Sequence, residues 1–300
     1  MKLVRFGPPG REKPGIVDAS GGIRDLSNVV PDIGGDTLSP EGLAKIRSQK
    51  LEQLPLVSGT PRLGPCVGNV RHFIAIGLNY ADHAAEAGQP LPKEPIIFSK
   101  APTSICGPND DTITPKESTK LDYEIELGIV IGSRARYLDK SKAMDAVAGY
   151  FLTNDVSERD FQISRSSGQW NKGKGCETFG PIGPWLVTKD EIPDPQALAM
   201  QLRVNGDVRQ QGNTAQMRIP IPHLVAHHSA QGFSAGDLLT TGTISGVAAV
   251  QPNPFDFYLR PGDRIEAEIE HVGVLRNHVV PWSAAHDTPP YTTDLYSSPV

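Results

Sequence analysis

Apolar and polar residues alternate in short stretches along most of the chain, and glycine or proline interrupts them every few positions. A period of two is the strand pattern, because successive side chains leave an extended chain on opposite faces. It predicts a strand at residues 1–6, where Leu3 and Arg5 alternate with Val4 and Phe6. Further strands are predicted at 15–18, 73–77, 95–98, 112–114, 122–132, 150–154, 185–188, 199–205, 237–241 and 264–269. Helical spacing is rarer. Ser39-Pro40-Glu41 reads as a helix start, with Ser39 as N-cap and Pro40 in the first helical position, and Leu43, Ile46 and Leu51 follow it. The alanine-rich 80–88, which ends in Gly88, and residues 140–149, 157–165 and 222–231 are the other predicted helices. Pro and Gly cluster at 60–65. They divide a small β-rich unit, 1–68, from a larger one, 69–281. The tail, 282–300, is rich in Pro, Ser and Thr and is expected on the surface or poorly ordered.

Composition narrows this picture. The 30 glycines and 27 prolines in 300 residues exceed the ~12% usual for the pair but fall short of the ~25–30% of low-complexity chains. The excess therefore belongs to a globular, turn-rich chain of the β-rich α+β class, not to a helical bundle. Lys and Arg number 29 against 34 Asp and Glu, a net charge of −5 with no basic block, so nucleic acid is not an expected partner. No apolar run approaches the roughly 18 residues that cross a bilayer, so no membrane association is expected and a cytoplasmic location is. Cys66, Cys106 and Cys176 are far apart and form no CxxC pair. They are expected to be reduced and mostly buried.

The chemistry concentrates in DYEIELGIVIG, residues 122–132. As a strand, this stretch directs Asp122, Glu124 and Glu126 to one face and Tyr123, Ile125 and Leu127 to the other, into a core. Beyond Gly128 it is wholly apolar, so the strand runs into the interior. Carboxylates carried inward lose hydration and repel one another unless a cation neutralises them. Oxygen ligands suit Mg²⁺, Mn²⁺ or Ca²⁺; the other reading is a solvated acidic face. Asp155 ends a second apolar strand just before a predicted helix, as a third ligand or as an N-cap. Three carboxylates would leave coordination positions for water or substrate. In YADHAAEAG, His83 and Glu86 are three apart and so share a helical face. Together they form either a base for activating water or an exposed ion pair. Glycines at 77 and 88 flank this segment like hinges, so it could serve as a lid. His227 and His228 have no acidic company and read as structural or surface residues.

Taken together, GLNYADHAAE, DYEIELGIVIG, NDVSERDFQ, QWNKGKGCETFGPIGPW, QGFSAGDLLTTGTISGV and LRPGDRIEAEIEHVGVLRNHV resemble the fumarylacetoacetate hydrolase family in its bacterial two-domain form. The resemblance implies a mixed β-roll catalytic domain behind a small N-terminal domain, and a homodimer. It implies a divalent cation, Mg²⁺ or Mn²⁺ with Ca²⁺ also suited, on Glu124, Glu126 and Asp155. It makes His83 and Glu86 the water-activating dyad on a lid, sets Arg159 and Gln162 facing the substrate, and puts Lys174 near the cation and the substrate oxygens. Thr243 would bind a substrate carboxylate or oxyanion. The implied reaction is hydrolysis of the C3–C4 bond of a 2,4-diketo acid, an acylpyruvate or a 2,4-diketo-3-deoxy sugar acid. Water attacks C4 and pyruvate leaves as its enolate. Oxaloacetate decarboxylation and enol–keto isomerisation are the enzymatic alternatives, and a non-catalytic diketo-acid-binding protein is the third. The sequence departs from the family pattern where Gly175-Cys176-Glu177 follows Lys174 in place of SFD. It departs again at Gly242-Thr243-Ile244-Ser245-Gly246-Val247-Ala248, which lacks the family's proline, and in the long AVQPNPFDF segment after it.

Overall fold

The computed structural model describes residues 1–283; the expected tail lies outside the described residues from 284 onward. The strands are β1 (Lys2–Phe6), β2 (Lys13–Val17), β3 (Ile23–Asp25), β4 (Phe73–Gly77), β5 (Ile96–Lys100), β6 (Ile105–Cys106), β7 (Thr112–Thr114), β8 (Leu121–Asp122) and β9 (Ile125–Ile131). They continue with β10 (Val147–Asn154), β11 (Ser157–Glu158), β12 (Gly180–Thr188), β13 (Ala199–Val204), β14 (Asp207–Asn213), β15 (Leu238–Thr240), β16 (Arg264–Ile269) and β17 (Gly273–Pro281). The α-helices are short: α1 (Pro40–Arg47), α2 (Ala81–Glu86), α3 (Asn171–Lys174) and α4 (Ile221–His228). Ser39 caps α1 as its sequence indicates, its hydroxyl accepting from the Gly42 N–H.

The main sheet runs β3-β2-β1-β12-β10-β9-β15-β4-β5, with β6 added beside β12. A second sheet, β14-β13-β16-β17-β7, packs against it, and β8 pairs with β11. Antiparallel pairs dominate, but β15–β4, β12–β6 and β17–β7 are parallel, so the β-rich α+β class holds with mixed sheets. β1 pairs with β12, and the first three strands thus extend the main sheet. β9 and β10 are buried along their whole length, as strands covered on both faces are. Their alternation sorts two cores. Tyr123, Ile125, Leu127, Ile129 and Ile131 pack with Met200, Leu202, Ile265 and Ala267 of the second sheet. Val130, Phe151, Ile182 and Leu186 face the opposite layer with Leu3, Leu26, Ile33 and Ile46. At Gly128 a Cβ would come within 2.2 Å of the Phe151 ring paired opposite it; the missing side chain is what lets that ring lie flat on the strand.

Three expected elements differ. The strand predicted over 122–132 is broken at Tyr123 and Glu124 into β8 and β9. There the Glu124 N–H donates to the Asn154 side chain, while its carbonyl accepts from the Asp155 N–H. The helix predicted over 140–149 shrinks to a 3₁₀ turn, Ala143–Ala146, because Val147-Ala148-Gly149 joins fully buried β10, whose partners β9 and β12 are in place on both sides. The helix predicted over 157–165 becomes the two-residue β11 and a π-helical turn, Asp160–Ser164. The pattern also left out the short β3 and β6, and β14 and β17. β14, DVRQQGN, is an edge strand whose one large apolar side chain, Val208, is exposed, so period two has no run of apolar members there to mark it.

Candidate active site and metal centre

Glu124 and Glu126 stand at the start of β9, and Asp155 follows the last residue of β10. The register that pairs Glu126 with Thr153 and Ile125 with Asn154 brings the three together. One oxygen from each lies within 4.8 Å of the others, and all three side chains are buried.

Three cations serve this cluster. Lys174 Nζ donates to Glu124 Oε2 (2.8 Å), Asp155 Oδ2 (2.7 Å) and Ser157 Oγ (2.9 Å). Arg159 donates to Glu124 Oε1 (2.7 Å), Asp122 Oδ2 (2.8 Å) and Gln162 Oε1 (2.9 Å). Lys100, fully buried at the end of β5, donates to Asp155 Oδ1 and to the Lys174 carbonyl (2.6 Å). Burial works against the charge on Glu124, but Lys174 and Arg159 outweigh it and hold its pKa down at about 2. Burial likewise opposes the Lys174 ammonium, yet Asp155 and Glu124 prevail and raise its pKa. For Lys100 burial wins, with Lys174's like charge adding to it, and the pKa falls. Glu126 differs from its neighbours: its Oε2 accepts from the Gly242 N–H (3.1 Å), and burial followed by the charges of Asp155 and Glu124 pushes its pKa well up. Glu126 is thus a buried carboxylate without a cation of its own, beside two others with their own cations. A hard divalent ion held by the three oxygens would supply that missing charge, and the donor set fits one.

α2 lies over this floor. His83 Nδ1 is 2.8 Å from Glu86 Oε1, and both Glu86 oxygens accept from the Gly246 N–H at 3.0 Å. The ring's Nδ1 therefore carries the proton to the carboxylate, leaving Nε2 as acceptor. Asp82 holds the same loop through Ser245 Oγ (3.1 Å). Gly246 is tightly constrained: its φ is +103°, and a Cβ would fall 2.2 Å from the Arg209 carbonyl oxygen. Before α2, Leu78 takes a left-handed conformation (φ +51°). Asn79 then pins the chain, its amide donating to the Ile219 and Thr241 carbonyls and accepting from the Ile219 N–H.

His83, Glu124, Glu126, Arg159, Gln162, Lys174 and Thr243 line one cavity of about 510 Å³. Asp155 and Glu86 sit behind Lys174 and His83 respectively, reached through them. The nine residues expected to bind the cation, bind substrate or act as the dyad are thus at or directly behind one cavity, while Asp122 sits below it, paired with Arg159. Thr243 arrives there with its hydroxyl engaged: it donates to the Ile125 carbonyl (2.9 Å) and accepts from Gln210 Nε2 (2.9 Å). Gln162 lines the cavity and its Oε1 accepts from Arg159. Sequence reasoning missed Lys100, Gln210 and the Gly246 N–H. Lys100 carried a readable signal, since period two from Ile96 and Phe98 directs it to their buried face. Cys176 donates weakly to the Lys172 carbonyl (3.9 Å), half-buried and away from the triad, and Cys66 and Cys106 are free and buried.

An oxygen triad and a hydrogen-bonded His–Glu pair thus share one cavity. The family described as Fumarylacetoacetate (FAA) hydrolase C-terminal matches residues 72–280, and the chain belongs to that family. A Burkholderia multivorans protein, provisionally named a hydrolase, is 56% identical over 275 residues, 91% of this chain and 96% of its own. The fumarylacetoacetate hydrolase of Exiguobacterium antarcticum superposes with a TM-score of 0.79 at 33% identity, over 94% of this chain and all of that one. The 5-carboxymethyl-2-hydroxymuconate delta-isomerase of Mycobacterium smegmatis does so at 0.72 and 30%, with the same coverage. The protein is an enzyme of hydrolase type with this family's fold, and the family's members generally use a divalent metal. Among the described residues, no helix is long and apolar enough to cross a membrane.

Proposed function

We propose that the enzyme hydrolyses the C3–C4 bond of a 2,4-diketo acid, releasing pyruvate and a carboxylic acid. The observation that carries this reading is the His83–Glu86 pair, locked by the Gly246 N–H and facing the same cavity as the carboxylate triad. Decarboxylation and enol–keto isomerisation need no attacking water, whereas hydrolysis needs a base for one. His83 Nε2 takes a proton from water as the oxygen bonds to C4, and Glu86 stabilises the resulting imidazolium. The C3–C4 bond breaks with its electron pair moving into the enolate of pyruvate, and a proton returns to C3. Lys174 offers an ammonium next to the triad, so positive charge is in place before the enolate oxygen develops its own. When bound on Glu124, Glu126 and Asp155, an Mg²⁺ or Mn²⁺ ion supplies further Lewis-acid stabilisation of that oxygen. Arg159 and Gln162 orient the acid end of the substrate.

Acylpyruvates absorb in the near ultraviolet, and cleavage bleaches the band. The expected result is bleaching with stoichiometric pyruvate, lost on chelation and restored by Mg²⁺ or Mn²⁺. Oxaloacetate consumption or enol–keto conversion with acylpyruvates left intact would replace hydrolysis by one of those reactions. Activity that persists after full chelation would remove the metal.

A further inference from the structure

The carboxylates, Lys174 and Arg159 are gathered at the floor of the cavity; Gln89, Gln162 and Thr243 join His83 as the uncharged polar side chains of its lining, and most of the remainder is apolar. On one side Ile96, Phe98 and Trp170 form a continuous wall. Phe98 and Trp170 meet edge to face with centroids 5.4 Å apart, and the Trp170 ring crosses Gly77, where a Cβ would lie 2.6 Å from it. Leu78, in its left-handed conformation, extends this wall toward α2. Ile163 and Val250 also line the cavity, and Ile163 is 65% exposed. Among the described residues, the Lys and Arg side chains that line the cavity are Lys174 and Arg159. Both already bind carboxylates at the floor.

We propose that the substrate group beyond C4 is an uncharged apolar chain or ring, and neither a second carboxylate nor a polyol. This rests on the diketo-acid reading above, which puts the C1 end at the charged floor. Lys174 Nζ lies 5.1 Å from the Phe98 ring centre but is already held by Glu124 and Asp155, so a carboxylate against Phe98 and Trp170 would lose hydration without a free cation, and a row of hydroxyls would lose water hydrogen bonds against hydrocarbon. An alkyl or aryl group there leaves water for a surface of its own kind, and a ring finds two aromatic edges.

The test compares kcat/KM, with Mn²⁺ present, for acetyl-, butanoyl-, hexanoyl- and benzoylpyruvate, fumarylpyruvate and a 2,4-diketo-3-deoxy sugar acid. The value should rise about fourfold per methylene until the wall is covered. Fumarylpyruvate and the sugar acid should fall at least about tenfold below hexanoylpyruvate, less than the cost of burying a lone carboxylate. Ile163→Arg, at an exposed rim position that tolerates charge, should move the fumarylpyruvate-to-hexanoylpyruvate ratio about tenfold toward the diacid, the size of one charge-assisted hydrogen bond. Equal or better turnover of fumarylpyruvate or the sugar acid overturns the inference and leaves hydrolysis standing. A second measurement separates the two readings. Thermal stabilisation by 2-oxooctanoate and by 2-oxoadipate, each with Mn²⁺, reports the lining without any cleavage. Greater stabilisation by 2-oxooctanoate supports the apolar lining even if no acylpyruvate is hydrolysed; equal or greater stabilisation by 2-oxoadipate overturns it.

Discussion

The floor of the cavity and the α2 segment above it are built on opposite plans. Glu126 lies within central strand β9, and Glu124 and Asp155 flank the buried strands β9 and β10, tied by the Glu124 N–H to the Asn154 side chain and the Asp155 N–H to the Glu124 carbonyl. Lys174, Lys100 and Arg159 reach them from three other elements, so the charged cluster also ties β5, α3 and the segment after β11 to the sheet. α2 is six residues long, with left-handed backbone on either side at Leu78 and Gly88. Its side chains hold the facing loop through Glu86 to Gly246 and Asp82 to Ser245. The floor thus combines binding groups with structural ones, while α2 carries its His–Glu pair on a short helix outside the two sheets, held to the facing loop by Glu86 and Asp82. Damage to the floor should cost stability as well as turnover; damage to α2 should cost turnover alone.

The largest effect is expected at Lys174. Lys174→Met removes the ammonium shared by Glu124 and Asp155 and leaves both buried carboxylates short of a counter-charge. Breaking one partner of a buried ion pair costs about 3–5 kcal/mol, so the metal-free variant should show that loss in urea unfolding, with turnover abolished. Unchanged stability would mean that the floor is not held by its charge pairing, and the contrast with α2 would fail. Next in size is His83→Ala. Turnover should drop by about 10²–10⁴, while unfolding free energy moves by less than about 1 kcal/mol and the Mn²⁺-induced thermal shift persists. Loss of that shift would show that His83 supports the floor as well.

The same contrast explains what could be read from the chain. Glu124 and Glu126 were legible because the stretch alternates up to Leu127, with Tyr123, Ile125 and Leu127 apolar between them, before it turns wholly apolar. Asp155 was legible because it ends an equally apolar run. The His83–Glu86 pair follows from helical spacing. What could not be read is each group's partner, since partners come from distant segments: Gly246 is 160 residues from Glu86, and Lys100 is 55 from Asp155. The helix expected over 140–149 failed for a related reason. Its local composition favours helix, but β9 and β12 had hydrogen bonds to offer Val147–Asn154, and tertiary pairing overrode propensity. Thr243 shows the limit from the other side: its motif brings it to the cavity, but only the structure shows its hydroxyl proton given to Ile125.

Metal addition probes the floor on a middle scale. If Glu126 is the carboxylate lacking a cation, Mn²⁺ at about 100 times its Kd should stabilise the folded protein by about 2.7 kcal/mol, seen as a rise in Tm over the chelated sample. Glu126→Gln keeps the shape and the Gly242 contact but removes the charge. It should abolish most of that rise while leaving the metal-free Tm equal or higher, because an uncharged amide in that position no longer repels Glu124 and Asp155. A metal-free Tm that falls instead would show Glu126 to be charge-compensated without any ion.

The smallest effect isolates how α2 is held. Ser245 Oγ donates to Asp82 Oδ2 across the gap between α2 and the loop, and neither group contacts the triad. Ser245→Ala deletes that one hydrogen bond, worth about 0.5–1.5 kcal/mol. Because Glu86 still holds the Gly246 N–H, the segment should keep its closed arrangement but populate it less, lowering kcat/KM by about two- to twelvefold with no change in Tm. Asp82→Asn can still accept from Ser245, so it should retain most of the activity that Ser245→Ala loses. If both variants lose activity equally, the Asp82 charge acts on His83 directly. If neither loses any, the Glu86–Gly246 contact alone positions the base, and α2 is as firmly determined as the floor beneath it.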